Sequence, residues 1–180
     1  MTRLKKLNKC QLGLTLVELV IVIGITGVIV GGLTMTIMQV LNMDARTRND
    51  MIAVYQVRQA GKLLSEDVLE AQPDKINVNP PGGTFLVLGW TAQNGTEYGV
   101  NYTLGDTPSS EFKILWRKQY HYVGSDPVLD LVTKVAEHID PYQTSCVWNA
   151  TAKKFTFTVT ATVGERSETR VYQVTPRPGT

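Results

Sequence analysis

Hydrophobic residues are distributed along this chain in three ways. From Leu14 to Leu41, 28 residues carry a single charge, Glu18, and no polar face. From Ala53 onward, Ala53, Val57, Ala60, Leu64, Val68 and Ala71 recur at spacings of 4, 3, 4, 4 and 3, interleaved with Arg58, Lys62, Glu66, Asp67 and Glu70. That rhythm is an amphipathic helix. After Pro73 the repeat shortens to two and turn residues interrupt it. No proline precedes Pro73, so the first two patterns predict one helix from about Leu14 to Ala71, 58 residues, about 87 Å at 1.5 Å per residue.

The remainder reads as strands. "TFLVLGW" (Thr84–Trp90), "EYGVNYTL" (Glu97–Leu104) and "FKILWRKQ" (Phe112–Gln119) are short β-segments, with Asn94-Gly95 a hairpin turn and "PPGG" (Pro80–Gly83) a connector. In "KKFTFTVTATV", Phe155, Phe157, Val159, Ala161 and Val163 alternate with threonines, so one face is buried and the other wet. It returns through Gly164-Glu165-Arg166 into "SETRVYQV" (Ser167–Val174) as a hairpin. "DPVLDLVTKVAEHIDP" (Asp126–Pro141), bounded by prolines, is read as a short helix or an irregular edge. The fold class is α+β: a long N-terminal α-helix, membrane-spanning in its first half, packed on an antiparallel β-sheet domain.

The apolar run is about 42 Å long as a helix, enough to cross a bilayer core of about 30 Å. Arg3, Lys5, Lys6 and Lys9 precede it, which places the N-terminus in the cytoplasm and the rest outside. A carboxylate inside such a segment costs roughly 2.5–3.5 kcal/mol on insertion scales, so Glu18 calls for a functional reason. Gly24, Gly27, Gly31 and Gly32 weaken the helix but allow close approach of another, and Gly27 with Gly31 has the small-xxx-small spacing of packed membrane helices. Glycine is also common in membrane helices generally, and the spacing alone does not decide between the two.

The basic leader, Gly13, and then "LTLVELVIVIGITGVIVGG" resemble the class III signal and N-terminal helix of type IV pilins and of the pseudopilins of type II secretion. The resemblance implies that an aspartic prepilin peptidase cuts between Gly13 and Leu14 and methylates the new amine of Leu14. Glu18 then becomes the fifth residue of the mature chain, where it pairs with the N-terminal amine of a neighbouring subunit and sets the register of assembly. The family most often starts its mature chain with Phe, and this chain has Leu14. "VNYTL", "FKILWRKQ", "LVTKVAEHI" and a final hairpin ending in "RPG" are most similar to J-class pseudopilins and W-class minor pilins. K-class tip subunits usually lack the glutamate, so Glu18 speaks against that class. Two other readings stand beside this one: a plain signal-anchor with Glu18 snorkelling to the interface, and a cleaved secretory signal ending near Gly31-Gly32.

Charge and candidate chemistry change this picture little. The chain carries +2 overall, but four of its 18 cations lie in residues 1–13, leaving 14 against 16 acids and a net −2. General nucleic-acid binding is therefore not expected. The pairs Arg117-Lys118 and Lys153-Lys154 read as solvated strand ends. Cys10 and Cys146 fall on opposite sides of the membrane or are parted by processing, so no internal disulfide is expected. His121 and His138 lack zinc-site spacing. His138 with Cys146 is a conceivable thiol–base pair, set against a buried structural Cys146 beside Trp148. Asp126 and Asp130 are conceivable calcium ligands in an otherwise ordinary loop. Asn94, Asn101 and Asn149 begin N-x-T sequons, which carry little weight in a bacterial chain. No catalytic residues, metal site or cofactor are expected, and the chain is not read as an enzyme.

The expected organisation is a leader at 1–13, a transmembrane or filament-core helix at 14–41, its amphipathic continuation at 42–72 and a sheet domain at 73–180. The expected function is that of a minor pilin or pseudopilin that enters or primes a type IV pilus or a type II secretion pseudopilus. The alternatives are a competence pseudopilin for DNA uptake and a membrane-anchored extracellular ligand-binding domain. The expected partners are other pilin or pseudopilin subunits, the prepilin peptidase, the inner-membrane assembly platform and the membrane itself. The protein would begin as a single-pass protein of the cytoplasmic membrane and end in an extracellular or periplasmic filament.

Overall fold

A proline two residues past the last helical turn ends the predicted helix. In the computed structural model, which describes residues 15–107 and 110–177, α1 runs from Leu16 to Glu70, 55 residues. Gln72 then donates its N–H to the Gly89 carbonyl (2.9 Å), and Pro73 opens a single 3-10 turn, Pro73–Lys75. The chain divides into two compact units with the boundary between Ala45 and Arg46. Helix is the only secondary structure among the described residues of the first.

The second unit holds the rest of α1 and eight strands: β1 (Asn77–Val78), β2 (Thr84–Thr91), β3 (Glu97–Thr107), β4 (Ser110–Val123), β5 (Asp126–Ile139), β6 (Ser145–Asn149), β7 (Lys154–Val163) and β8 (Arg166–Val174). They form one sheet in the order β1-β2-β3-β4-β5-β7-β6, with β8 on the other side of β7. All pairings are antiparallel. The strand order brings distant ends together: the Cys146 thiol of β6 donates to the Phe85 carbonyl of β2 at 3.6 Å, and the Phe85 and Phe157 rings meet edge-on at 6.1 Å. The sheet is therefore curled.

The helical stripe fills the curl. Ala53, Val57, Ala60, Leu64, Val68 and Ala71 are all at most 1% exposed, as their spacing predicts. Val57, Ala60, Leu64, Val68 and Ala71 join Leu86, Leu88, Val100, Leu115, Phe155 and Phe157 in one core. Asn94-Gly95 makes the predicted turn, with Gly95 at φ 81° and the Asn94 side chain accepting the Thr96 N–H at 3.0 Å. In β7, Phe155, Phe157, Val159 and Ala161 are buried as expected. Thr160, on the face expected to be wet, is buried as well, because Thr144 and Thr169 hydrogen-bond it.

One reading needs correction. Asp126–Ile139 is not a short helix but a 14-residue strand; of the two alternatives the irregular edge is the nearer, since the strand has register shifts against β4 and meets β7 only at Ile139. Val128, Val132 and Val135 are spaced as on a helix, yet the β-branched residues and the two-residue Gly124-Ser125 turn, with Gly124 at φ 66°, pair the segment with β4 along its length. Pro127 is tolerated because it lies beside the turn.

Candidate functional site: the exposed helix and its clamped continuation

The first turn of α1 is capped from within. The Thr15 hydroxyl accepts the Glu18 backbone N–H at 3.3 Å. Thr15 with Glu18 three residues later is the capping-box pattern, a signal carried by the sequence itself. Glu18 itself is exposed. Gly13 and Leu14, the predicted cleavage pair, and Cys10 lie outside the described residues.

From Leu16 onward the helix presents apolar side chains that no other described residue covers. Leu16, Val20, Ile25, Val28, Leu33, Ile37 and Leu41 are each more than half exposed. Leu16–Glu70 is long and apolar enough to cross a membrane. The hydroxyls within the run are satisfied locally: Thr26, Thr34 and Thr36 donate to the carbonyls of Val22, Val30 and Gly32 at 2.7, 2.8 and 2.9 Å. Such back-bonding removes the polar cost of threonine in a medium without water. At about 100° per residue, Gly24, Gly27 and Gly31 fall within about 60° of one another on one side of the helix. A Cβ built at any of them meets nothing within 4 Å, so no contact inside the chain needs these glycines.

The continuation of the same helix has one glycine of the opposite kind. A Cβ at Gly61 would lie 2.1 Å from the Tyr172 ring. That ring stacks on Phe157 at 6.5 Å and donates its hydroxyl to the Val57 carbonyl at 3.2 Å. Gly61 is thus the seat that lets β8 lie against α1.

The sequence pattern puts Asp67 among the charges interleaved with the stripe and Arg117 at a solvated strand end. Instead they form a buried clamp between α1 and the sheet. Arg117 grips Asp67 with two hydrogen bonds, Nε to Oδ2 at 2.7 Å and Nη2 to Oδ1 at 2.8 Å. The Tyr102 hydroxyl donates to the same Oδ2 at 2.5 Å, and Arg117 Nη1 also donates to Gln119 at 2.9 Å. The side chains of Arg117 and Asp67 are only 14% and 9% exposed. Burial, reinforced by the Asp67 carboxylate, holds the Tyr102 phenol far above its usual range, and the hydrogen bonds that Arg117 donates to Asp67 raise the Arg117 pKa despite its own desolvation. The arrangement is a bidentate ion pair with a third donor. Its partners are 50 residues apart.

The remaining candidates separate. The Cys146 thiol is 4% exposed, its pKa pushed up to about 12 by burial, and its described hydrogen-bond partner is the Phe85 carbonyl and not His138. His138 sits at φ 59° in a bulge of β5, where Glu137 and His138 oppose Ile114 alone. Asp130, read as a metal ligand, meets His121 Nδ1 at 2.6 Å, and Asp126 closes the β4–β5 hairpin opposite Val123. Among the described residues no three His, Cys, Asp or Glu side chains come together as a metal site. Lys153 and Lys154 are exposed at the start of β7, as expected of a strand end.

Basic residues before Gly13, an internally capped helix start and an apolar helix that no other described residue covers point to a class of protein, and comparison agrees with it. Residues 8–34 match the prokaryotic N-terminal methylation motif. This prepilin-type signal spans the Gly13-Leu14 junction, Glu18 and all four glycines Gly24, Gly27, Gly31 and Gly32. It supports a type IV pilin-like protein: a structural subunit anchored in the cytoplasmic membrane by its N-terminal helix, processed by prepilin peptidase and assembled with other pilin subunits. Neither the curated proteins nor the solved structures yield a match to the chain.

Proposed function

We propose that the chain is a minor pilin or pseudopilin, cut between Gly13 and Leu14, methylated on Leu14, and drawn from the membrane into a filament of a type IV pilus or a type II secretion system. In this reading residues 1–13 are the leader, 14–41 the filament-core helix, 42–72 its continuation and 73–180 the domain displayed outside the membrane. The likeness to J-class pseudopilins and W-class minor pilins belongs to the same proposal.

The observation that carries it is the coincidence of the methylation motif over residues 8–34 with a helix whose apolar residues stay exposed from Leu16 to Leu41. In the membrane those side chains are covered by lipid. In a filament they are covered by other helices, with Gly24, Gly27 and Gly31 allowing close approach. Glu18 is what distinguishes the two states: its carboxylate costs insertion energy in lipid and finds an opposite charge on a neighbour's terminal amine in the filament.

The direct test is the N-terminus of the protein recovered from cells. Mass spectrometry is expected to find a chain starting at methylated Leu14, and Gly13→Val is expected to abolish the cut. An intact Met1 start, or a terminus near Leu33, overturns the proposal.

A further inference from the structure

The face of the sheet that holds α1 continues past the end of the helix. Glu137 of β5 donates its N–H to Gln56 Oε1 at 2.8 Å, and Arg117 of β4 reaches Asp67, further along α1. Arg117 pairs with Thr133, so β4 runs in the sense of α1 and the β4–β5 turn lies toward the C-terminal end of the helix. The chain leaves the helix at Gln72, bonded to Gly89 in the cross-strand row Gly89, Gly99, Tyr120 and Leu129. Around that row and beyond it, the helix side of β5 is open. Leu131 stands opposite Gln119, which accepts from Arg117, and Val128 stands opposite His121, which meets Asp130 at 2.6 Å. Leu131 and Val128 are 53% and 42% exposed. Asp126, two residues from Val128, shares their face. No Lys or Arg lies between Gln119 and Val132, so this arm is apolar and acidic.

The exposed side of α1 carries the complementary pattern. At about 100° per residue, Arg48, Met51, Tyr55 and Arg58 fall within about 80° of one another, turned away from the buried stripe. Met51 and Tyr55 are 69% and 62% exposed, and with Val54 and Arg58 they border an open groove of about 380 Å³. Asp50, to one side, pairs with Arg166 at 3.4 Å. Neither Arg48 nor Arg58 has an ion-pair partner among the described residues.

We propose a head-to-tail contact between copies of this chain in the filament, in which the helix side of the β4–β5 arm of one copy docks on the Arg48–Arg58 face of α1 in the next. Charge and spacing favour this occupant. Asp126 and Asp130 are four residues apart on a strand, about 13 Å, and Arg48 and Arg58 are ten apart on a helix, about 15 Å. Each pair of like charges has apolar side chains between or beside its members, so matching the charges lays Val128 and Leu131 on Met51 and Tyr55.

Both helices point the same way in this contact. β5 runs from the turn back toward the body of the sheet, so Asp130 meets Arg48 and Asp126, nearer the turn, meets Arg58. The second copy is shifted along its helix by about 30 Å, the rise from Ala53 to Gln72. Two different patches are used, so each copy keeps one of them free and the contact propagates in one direction. The inference rests on the filament reading, because copies anchored side by side in a membrane stand level and hold the two patches about 30 Å apart.

The test is cross-linking with a short bismaleimide between two differently tagged full-length chains, both in a Cys10→Ser background, in the filament fraction sheared from cells. Tyr55→Cys in one chain is expected to trap Leu131→Cys in the other in about tenfold greater yield than it traps Val171→Cys, a β8 position that is 58% exposed. Asp126→Lys with Asp130→Lys in the Leu131→Cys chain is expected to lower that yield about tenfold, and Arg48→Glu with Arg58→Glu in the Tyr55→Cys chain to restore it. Adding Gly13→Val to both chains, which keeps them level in the membrane, is expected to reduce the Leu131 yield to that of Val171. Equal trapping at Leu131 and Val171 in filaments, a cross-link to a different protein, no recovery on charge exchange, or undiminished trapping in the Gly13→Val chains would each overturn this contact. If the chain is present in the sheared fraction, such a result leaves the filament reading standing; absence of the chain from that fraction overturns both.

Discussion

Leu16–Leu41 and Ala53–Glu70 are parts of one helix with the same backbone and opposite surroundings. In the first, every side chain is exposed. In the second, one stripe is buried to 1% or less under a curled sheet, and the opposite face carries charges such as the exposed Lys62–Glu66 pair at 3.9 Å. Their glycines show the difference most sharply. Gly61 is required by a ring of the same chain, whereas Gly24, Gly27 and Gly31 are required by nothing among the described residues. Their polar groups differ likewise: the Asp67 carboxylate accepts three hydrogen bonds from its own chain, whereas the bond described at Glu18 is that of its backbone N–H to Thr15 and leaves the exposed carboxylate to one side. A helix segment with its polar and small residues all accounted for internally is stabilised by folding. One with them unspent is set up for association with other molecules.

The largest expected effect breaks the second segment. Asp67→Ala leaves the Arg117 guanidinium and the Tyr102 hydroxyl unmatched in a buried site, and the loss is expected to be about 3–5 kcal/mol. Denaturant unfolding of the chain in detergent, followed by tryptophan fluorescence, measures it. A change below about 1 kcal/mol, the value of a surface pair, would show that the clamp is solvated.

Glu18→Ala is the matching change in the first segment. Membrane insertion should be unharmed or improved, since about 2.5–3.5 kcal/mol of cost is removed. Incorporation into filaments should fall over a hundredfold if about 3 kcal/mol of pairing is lost. Shearing filaments from cells, or cross-linking the mature protein to partner subunits, at matched membrane abundance gives the comparison. Equal recovery of wild type and variant would sink the pairing mechanism.

The glycines give a paired test of intermediate size. Gly61→Ala drives a methyl group into the Tyr172 ring and should cost about 1–3 kcal/mol of stability. Gly27→Ala should leave stability unchanged or raise it by up to about 1 kcal/mol through helix propensity, while lowering assembly. Equal effects of the two substitutions on unfolding would erase the distinction between the segments.

The smallest effect concerns Cys146. Its folded pKa is raised to about 12, against an unfolded value of about 8.5. The fold favours the neutral thiol, so this contribution to stability is fully present below about pH 8.5 and is lost as pH rises toward 12. Tyr102, also raised, adds loss in the same direction at still higher pH. Cys146→Ala should flatten the decline above about pH 9, and in the unmodified chain a polar thiol reagent should label Cys146 no faster than the domain unfolds. Rapid labelling at neutral pH would contradict the burial.

What the sequence determined by itself is whatever depends on neighbours a few residues away. The 28-residue apolar run, the stripe from Ala53 to Ala71, the Asn94-Gly95 turn and the alternation of β7 were all legible, because helix and strand periods repeat locally. So was Glu18, since a charge in an apolar run stands out. Tertiary structure alone decided which charges are buried. Asp67 looks like its neighbours Glu66 and Glu70 until the curl of the sheet brings Arg117 and Tyr102 onto it, from 50 and 35 residues away. It also decided that Gly61 seats Tyr172, whose hydroxyl reaches Val57 across 115 residues, and that Asp126–Ile139 is a strand, because pairing with β4 outweighs an ambiguous local rhythm. Desolvation is the common reason: a side chain's energy depends on what covers it, and covering is supplied by residues that no local pattern names.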